Sequence, residues 1–274
     1  MENNSWVTGN IVLRINGEPV EMEMTVPAFP VKPHRMLPVF QQMASAVVDS
    51  CVKAVEDEGK QISCKAGCGA CCRQAVPISE TEAYQIAELV EAMDEPRRSV
   101  VKKRFADALK HFIEIDWFSQ LNNLADMASS GDPGFSPAEY ERVVTGYMDE
   151  HIYCPFLVDE SCSIHPDRPL VCREYLVTSP AENCQSPTAE TIEKVPIFMR
   201  PSKAILNVGR TKNMDGISSL MMIEALDFTA RNPESFEEKT GPEWAGEFFT
   251  QLSKKDVSPP PPDKPKKRRK KQWR

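Results

Sequence analysis

The sequence predicts an α+β protein that is mainly helical, and three observations carry that reading. Two alternating apolar–polar runs flank Asn16-Gly17 in NIVLRINGEPVEMEMTV (10–26), the pattern of a β-hairpin. Several long segments repeat their apolar residues at the 3.6-residue helical period. Residues 151–187, by contrast, are rich in Cys and Pro and keep neither period. The 274 residues are 41% apolar and 27% charged, enough to bury a core and unlike a compositionally disordered chain.

Each element follows from local chemistry. Asn and Gly supply the positive φ angles of a tight turn, so strands are expected over roughly 10–16 and 19–26. Pro27, Pro30 and Pro33 then force an extended connection. A helix is expected from about 35 to 59, with Leu37, Phe40, Met43, Ala44, Val47, Val48, Cys51 and Val55 on its apolar stripe and Gly59 as its stop. Cys51 on that stripe reads as a buried small hydrophobe. Ser79 followed by Glu82 is a capping box that starts a helix over about 80–93. A further helical stretch runs from Pro96 to about Met127 with a break near Asp116, 129–137 forms a loop, and 137–150 is helical again. Residues 191–210 are expected to hold one or two short strands, and 214–231 and 233–252 to form terminal helices.

Charge divides the chain sharply. The formal net charge is −7, yet residues 254–274 carry ten Lys or Arg against Asp256 and Asp263. The tail therefore stands at +8 and the other 253 residues at −15. An acidic body argues against a surface shaped for duplex nucleic acid. Four consecutive prolines, 259–262, and the basic run after them predict a disordered tail. The expected organisation is an N-terminal β-hairpin and linker over 1–34, a main domain over 35–253, and a disordered Pro-rich basic tail over 254–274. The basic run reads first as a solvated, non-specific segment, with weak contact of residues 264–274 with nucleic acid or an acidic partner as the alternative. No apolar run approaches a membrane span, and the N-terminus lacks a secretory pattern, so a cytoplasmic protein without membrane contact is expected.

Nine cysteines are present, and eight of them fall in two short irregular segments. The first holds Cys64, Cys68, Cys71 and Cys72 in a C-x3-C-x2-C-C pattern. The second holds Cys154, Cys162, Cys172 and Cys184. Core cysteines scatter at helix or strand periods, and these do not. Thiolates are soft ligands that suit zinc or iron–sulfur clusters, so the expectation is helices around a cysteine-rich metal centre. Gly67 and Gly69 let the first loop curl and turn its N–H groups toward sulfur. Neighbouring Cys71 and Cys72 project in different directions. Either they serve two sites, or one of them only supports a ligand. Arg168 and Arg173 would offset the negative charge of a four-thiolate site, although Arg168 could equally tie a loop carbonyl. His165 is an alternative nitrogen ligand. The glycine-wrapped loop favours an iron–sulfur cluster, [4Fe–4S], over zinc.

The order C-x3-C-x2-C-C (64–72), CPFL (154–157) and C-x-I-H-x-x-R-P-x-x-C-R (162–173) resembles the YkgJ-type cysteine-cluster family, a zinc- or iron-chelating domain that takes in flagellin lysine N-methylases. The resemblance covers about 64–184. It implies metal or iron–sulfur binding by Cys64, Cys68, Cys71, Cys72, Cys154, Cys162, Cys172 and Cys184. Members often carry Tyr at the place of His165, which implies ring packing or hydrogen bonding there. The relatives also suggest an alternative, an S-adenosylmethionine-dependent protein-lysine N-methyltransferase, but no Gly-rich strand–loop–helix motif accompanies it here. Cys64, Cys68 and Cys71 also reproduce the spacing of a radical S-adenosylmethionine loop. Against that reading, five further cysteines stand ready to fill an open iron position, and the strand–helix alternation of the usual barrel is missing. No substrate is named by these patterns; an unidentified protein partner or substrate is expected. Deleting 258–274 is expected to leave metal content and thermal unfolding unchanged. Loss of metal on truncation, measured by elemental analysis, would show that the tail belongs to the folded unit.

Overall fold

The computed structural model describes residues 5–15, 18–188 and 190–253. The Asn16-Gly17 turn and the 254–274 tail lie outside the described residues. Strands β1 (Trp6–Ile15) and β2 (Glu18–Pro27) pair antiparallel from Ile15 opposite Glu18 to Trp6 opposite Pro27. The pairing continues to Trp6, so both strands run longer than expected. It lays Ile15, Met24 and Val26 inward.

Helix α1 (Leu37–Asp57) buries the whole predicted stripe, Cys51 included. A short strand β3 (Pro77–Ile78) precedes α2 (Glu80–Glu91), whose start is the expected reciprocal cap. Ser79 Oγ accepts from the Glu82 N–H at 3.1 Å, and Glu82 Oε2 accepts from the Ser79 N–H at 2.8 Å. The long helical stretch divides into α3 (Arg97–Glu114) and α4 (Trp117–Ser130). The break falls at Asp116, whose φ of 57° is left-handed and cannot continue a right-handed helix. Helix α5 (Pro137–Asp149) follows the predicted loop, and its N-cap Ser136 accepts from the Glu139 N–H.

Downstream, regular structure comes in fragments: β4 (Leu157–Val158), β5 (Ser161–Cys162), α6 (Leu170–Glu174), α7 (Pro201–Ile205), β6 (Leu220–Met221), α8 (Ala225–Arg231) and α9 (Gly241–Leu252). Three expectations are corrected here. Residues 191–210 form no strand beyond a single bridge of Lys194 to Val177. Pro196 and Pro201 lack the N–H that a ladder needs, and Pro201 instead opens α7. The helix expected over 214–231 begins only at Ala225, because Gly216 turns with φ +77° and Leu220–Met221 pair with β3. The last helix starts at Gly241 rather than 233. A side chain at Gly241 would meet the Pro27 carbonyl at 2.7 Å, so only glycine lets α9 approach the hairpin. Among the described residues the strands form three two-stranded antiparallel sheets, and no helix is long and apolar enough to cross a membrane.

The core has several lobes. One lies between α1, α9 and the hairpin, where Phe40 and Phe248 stack at 4.5 Å and Trp244 donates from Nε1 to the Val31 carbonyl at 2.7 Å. A second joins α3, α4 and α5 through stacked Phe112 and Tyr147 at 4.2 Å with Trp117 against both. A third packs α2, α3 and α8 around Phe105, Phe156 and Ile164, and this lobe forms the floor under the second cysteine segment. Replacing the fully buried Phe248 by Ala is expected to cost about 3–5 kcal/mol in a denaturant titration. Thr250→Ala, on the solvent side of α9, should stay within about 0.5 kcal/mol.

Candidate metal centre

The first cysteine loop is wound too tightly for an α-helix. Gly67 sits at φ +80°, the Cys68 N–H donates to the Lys65 carbonyl at 3.1 Å, and Ala70–Arg73 form a 3₁₀ turn. Gly69 is pressed against the β4–β5 hairpin. A Cβ at this position would overlap the Leu157 side chain and stand 2.9 Å from the Glu160 carbonyl oxygen. That hairpin turns through Asp159 and Glu160 with φ of 47° and 57°, both left-handed without glycine. The strain is held by Arg73, which donates to the Gly69 carbonyl at 2.9 Å and to both Glu160 carboxylate oxygens at 2.8 and 3.1 Å.

The second segment is tied down bond by bond. The Cys154 N–H donates to the Cys72 carbonyl at 2.8 Å, linking the two cysteine groups directly. Glu82 is buried and uses its second oxygen to accept from the Leu170 N–H at 2.9 Å, so one carboxylate caps both α2 and the short helix that carries Cys172. Gln41 on α1 donates to the Asp167 and Arg168 carbonyls at 3.3 and 3.4 Å. Glu174 accepts from the Ser202 N–H and hydroxyl, each at 2.6 Å. The capping box was readable in the sequence, but the second role of Glu82 was not, since nothing local marks a partner 88 residues away.

These ties bring all eight predicted cysteines, Cys64, Cys68, Cys71, Cys72, Cys154, Cys162, Cys172 and Cys184, to the wall of one cavity of about 100 Å³. Apolar side chains of Phe156, Ile164, Leu176 and Met222 share the wall with Lys65, Arg168 and Tyr175. Cys51 lies elsewhere, under the hairpin. The expected divergence of Cys71 and Cys72 is only partial, because their thiols hydrogen-bond to each other. That bond, with burial, pushes the Cys71 thiol far above its ordinary range. A hydrogen bond to the Cys154 thiol does the same for Cys72, to about 12. Burial raises Cys64, Cys162 and Cys172, and takes Cys184 up to about 11 with the Cys64 charge adding to it. Crowded, desolvated thiols of this kind hold their protons until a cation replaces them, which fits a soft metal ion or cluster. Among the described residues no three Cys, His, Asp or Glu side chains are gathered so that they could already hold a metal ion.

Of the two arginines, Arg168 keeps the charge-offsetting role expected of both, and Arg173 takes the carbonyl-tying role left open for Arg168. Arg173 ties the loop, donating to the Pro166 and Arg168 carbonyls and to Ser45 Oγ on α1. Arg168 lines the cavity with its buried Nε unpartnered, and its charge favours the thiolates of Cys64, Cys71, Cys162 and Cys172. His165 stands exposed at the cavity rim, where the Arg168 charge lowers its pKa.

Residues 63–194 match the family model CxxCxxCC, described as a "Putative zinc- or iron-chelating domain". This part of the chain is similar to that cysteine-cluster family. The matched stretch contains every cavity cysteine and excludes Cys51. Chelation of zinc or iron is the function the match supports for the domain. No curated protein and no solved structure matches the chain.

The two glycines of the cysteine-cluster loop should respond differently to alanine. Gly67→Ala meets only Ser161 Oγ at 3.7 Å and carries the left-handed φ penalty, about 1–2 kcal/mol. Gly69→Ala collides with backbone and is expected to lose more stability and much of the bound metal. Equal thermal shifts for the two variants would contradict the close contact with Glu160.

Proposed function

We propose that the chain is an iron–sulfur protein whose eight cavity cysteines hold the cluster iron and thereby cross-link an irregular fold. The observation that carries this reading is the convergence of all eight thiols on one cavity from segments separated by 81 residues. The tightly wound loop at Cys64, Cys68 and Cys71 favours iron over a zinc knuckle, which more often uses paired C-x2-C turns. When bound, such a cluster supplies one-electron redox chemistry. Around it, Arg168 offsets thiolate charge, and Phe156, Ile164, Leu176 and Met222 exclude water and lower the local dielectric. The Arg73–Glu160 pair and Glu82 hold the ligand-bearing loops in register. The methyltransferase alternative rests on the family resemblance alone, and no feature of the site adds to it.

Anaerobic purification decides the metal. A brown protein with broad visible absorption and acid-labile sulfide is expected, and a colourless protein containing only zinc overturns the iron–sulfur reading. Cys68→Ser and Cys172→Ser should each give insoluble or metal-depleted protein. Soluble variants with full metal content would remove these thiols from the ligand set.

A further inference from the structure

We propose that β1 pairs edge to edge with the β1 of a second copy of this chain. The two strands run antiparallel about a two-fold axis at Asn10 and join the two hairpins into one four-stranded sheet. This pairing does not depend on what the cysteine cavity holds.

Among the described residues β1 pairs with β2 alone, which leaves its outer edge open. The Ala28 N–H donates to the Ser5 carbonyl at 2.9 Å, and this bond sets the phase of the ladder. Antiparallel pairs alternate between bonded and non-bonded, so Val7, Gly9, Ile11, Leu13 and Ile15 bond to β2. Trp6, Thr8, Asn10, Val12 and Arg14 therefore turn both N–H and C=O to the outer edge. Thr8 and Thr25 agree with this phase, because their Oγ1 atoms meet at 2.9 Å, as side chains do across a non-bonded pair. The other edge of the hairpin is blocked. Its corresponding positions on β2 include Pro19 and Pro27, which lack an N–H, and the charged Glu21 and Glu23. On β1 there is no proline, and Arg14 is the only charged residue.

A second β1 fits this edge in one register. Setting Asn10 opposite the partner's Asn10 puts Trp6 opposite the partner's Arg14 and Thr8 opposite the partner's Val12, so every edge residue of both strands is paired. A shift of two residues either way leaves an end residue without a partner. Trp6 is 61% exposed with its ring edge-on to Phe29 at 6.3 Å, and a guanidinium across from it supplies a cation–π pair. The two Arg14 side chains stand at opposite ends, so like charges stay apart. On the core-side face the same register sets Val7 against the partner's Leu13 and Gly9 against the partner's Ile11. Val7 shares that face with Ile11, Leu13 and Ile15, yet it is exposed. Leu13 borders an open depression of about 310 Å³ with Met199, Phe249 and Leu252. A Cβ at Gly9 would meet nothing within 4 Å. A strand glycine beside open space is where another backbone can approach closely, and the partner's Ile11 fills that space. Because the β2 edges are blocked, the assembly closes at two chains.

Sedimentation equilibrium on the full chain is expected to give the mass of two chains, falling to one on dilution. Residue-resolved amide exchange then reads which edge is used. In the dimer the amides of Trp6, Thr8, Asn10, Val12 and Arg14 should exchange slowly, and dilution should release them while Val7, Gly9, Ile11 and Leu13 stay protected by β2. Asn10→Lys brings two cations together on the axis. It should yield single chains with fast exchange of the outer amides only and with unchanged metal content. Asn10→Cys should cross-link two chains through the introduced thiols, located by non-reducing peptide mapping, whereas Thr8→Cys should not. A single-chain mass at about 100 μM, well above the micromolar dissociation constants of weak specific interfaces, overturns the proposal. So does a dimer that survives Asn10→Lys or leaves the outer amides unprotected, since it uses another face. Protection of those amides that persists in the single chain also overturns it, because the edge is then covered from within.

Discussion

Residues 151–187 have almost no hydrogen-bonded ladder of their own, and their position depends on single bonds made to distant elements. The Glu82 carboxylate is the most constrained of these. It is buried, it closes the cap of α2, and it receives the Leu170 N–H at the start of the helix bearing Cys172. Cys72 accepts from Cys154, Gln41 donates to the carbonyls before Pro169, and Glu174 anchors Ser202. Each is a polar side-chain or backbone group whose loss leaves a buried or half-buried partner unsatisfied, so polar satisfaction helps to set the cavity geometry.

How much of this was legible in the sequence depended on the range of the causes. Ser79 with Glu82, the apolar stripe of α1 and the break near Asp116 are local features, and each appears where expected. The eight cysteines were legible as a set because clustered thiols in irregular sequence have no packing explanation. Their arrangement was not legible. It depends on the Gly69–Glu160 approach, the β3–β6 pairing beneath Met222 and the Ser63–Val177 bond, each joining residues far apart in sequence. The strands expected at 191–210 failed because β-formers there are interrupted by Pro196 and Pro201, and one bridge to Val177 was all the backbone could keep. Arg168 and Arg173 were both recognised as cations near thiols. Only the fold shows that Arg173 is spent on the Pro166 and Arg168 carbonyls while Arg168 faces the cavity.

The electrostatics of the centre run against those of the surface. The body carries a formal −15, yet the cavity collects eight potential anions in an apolar wall with one facing guanidinium. Such a site gains most from a multivalent cation, because each thiolate formed next to another otherwise costs free energy in a medium of low polarity. Cys51 shows the contrast: with burial as the leading cause of its raised pKa and no thiol neighbour, it remains a core residue.

The long separation of the two cysteine segments also has a consequence in time. A ribosome extending a chain by 5–20 residues each second needs on the order of 10 s to pass from Cys72 to Cys184. For most of that interval the first four thiols are synthesised and their partners are not, because the earliest partner, Cys154, follows Cys72 by 82 residues. The cavity is a high-contact-order product that cannot collect all its thiols until about two-thirds of the chain has been made. Until then the completed fold cannot shield the first four thiols from oxidation or stray metal.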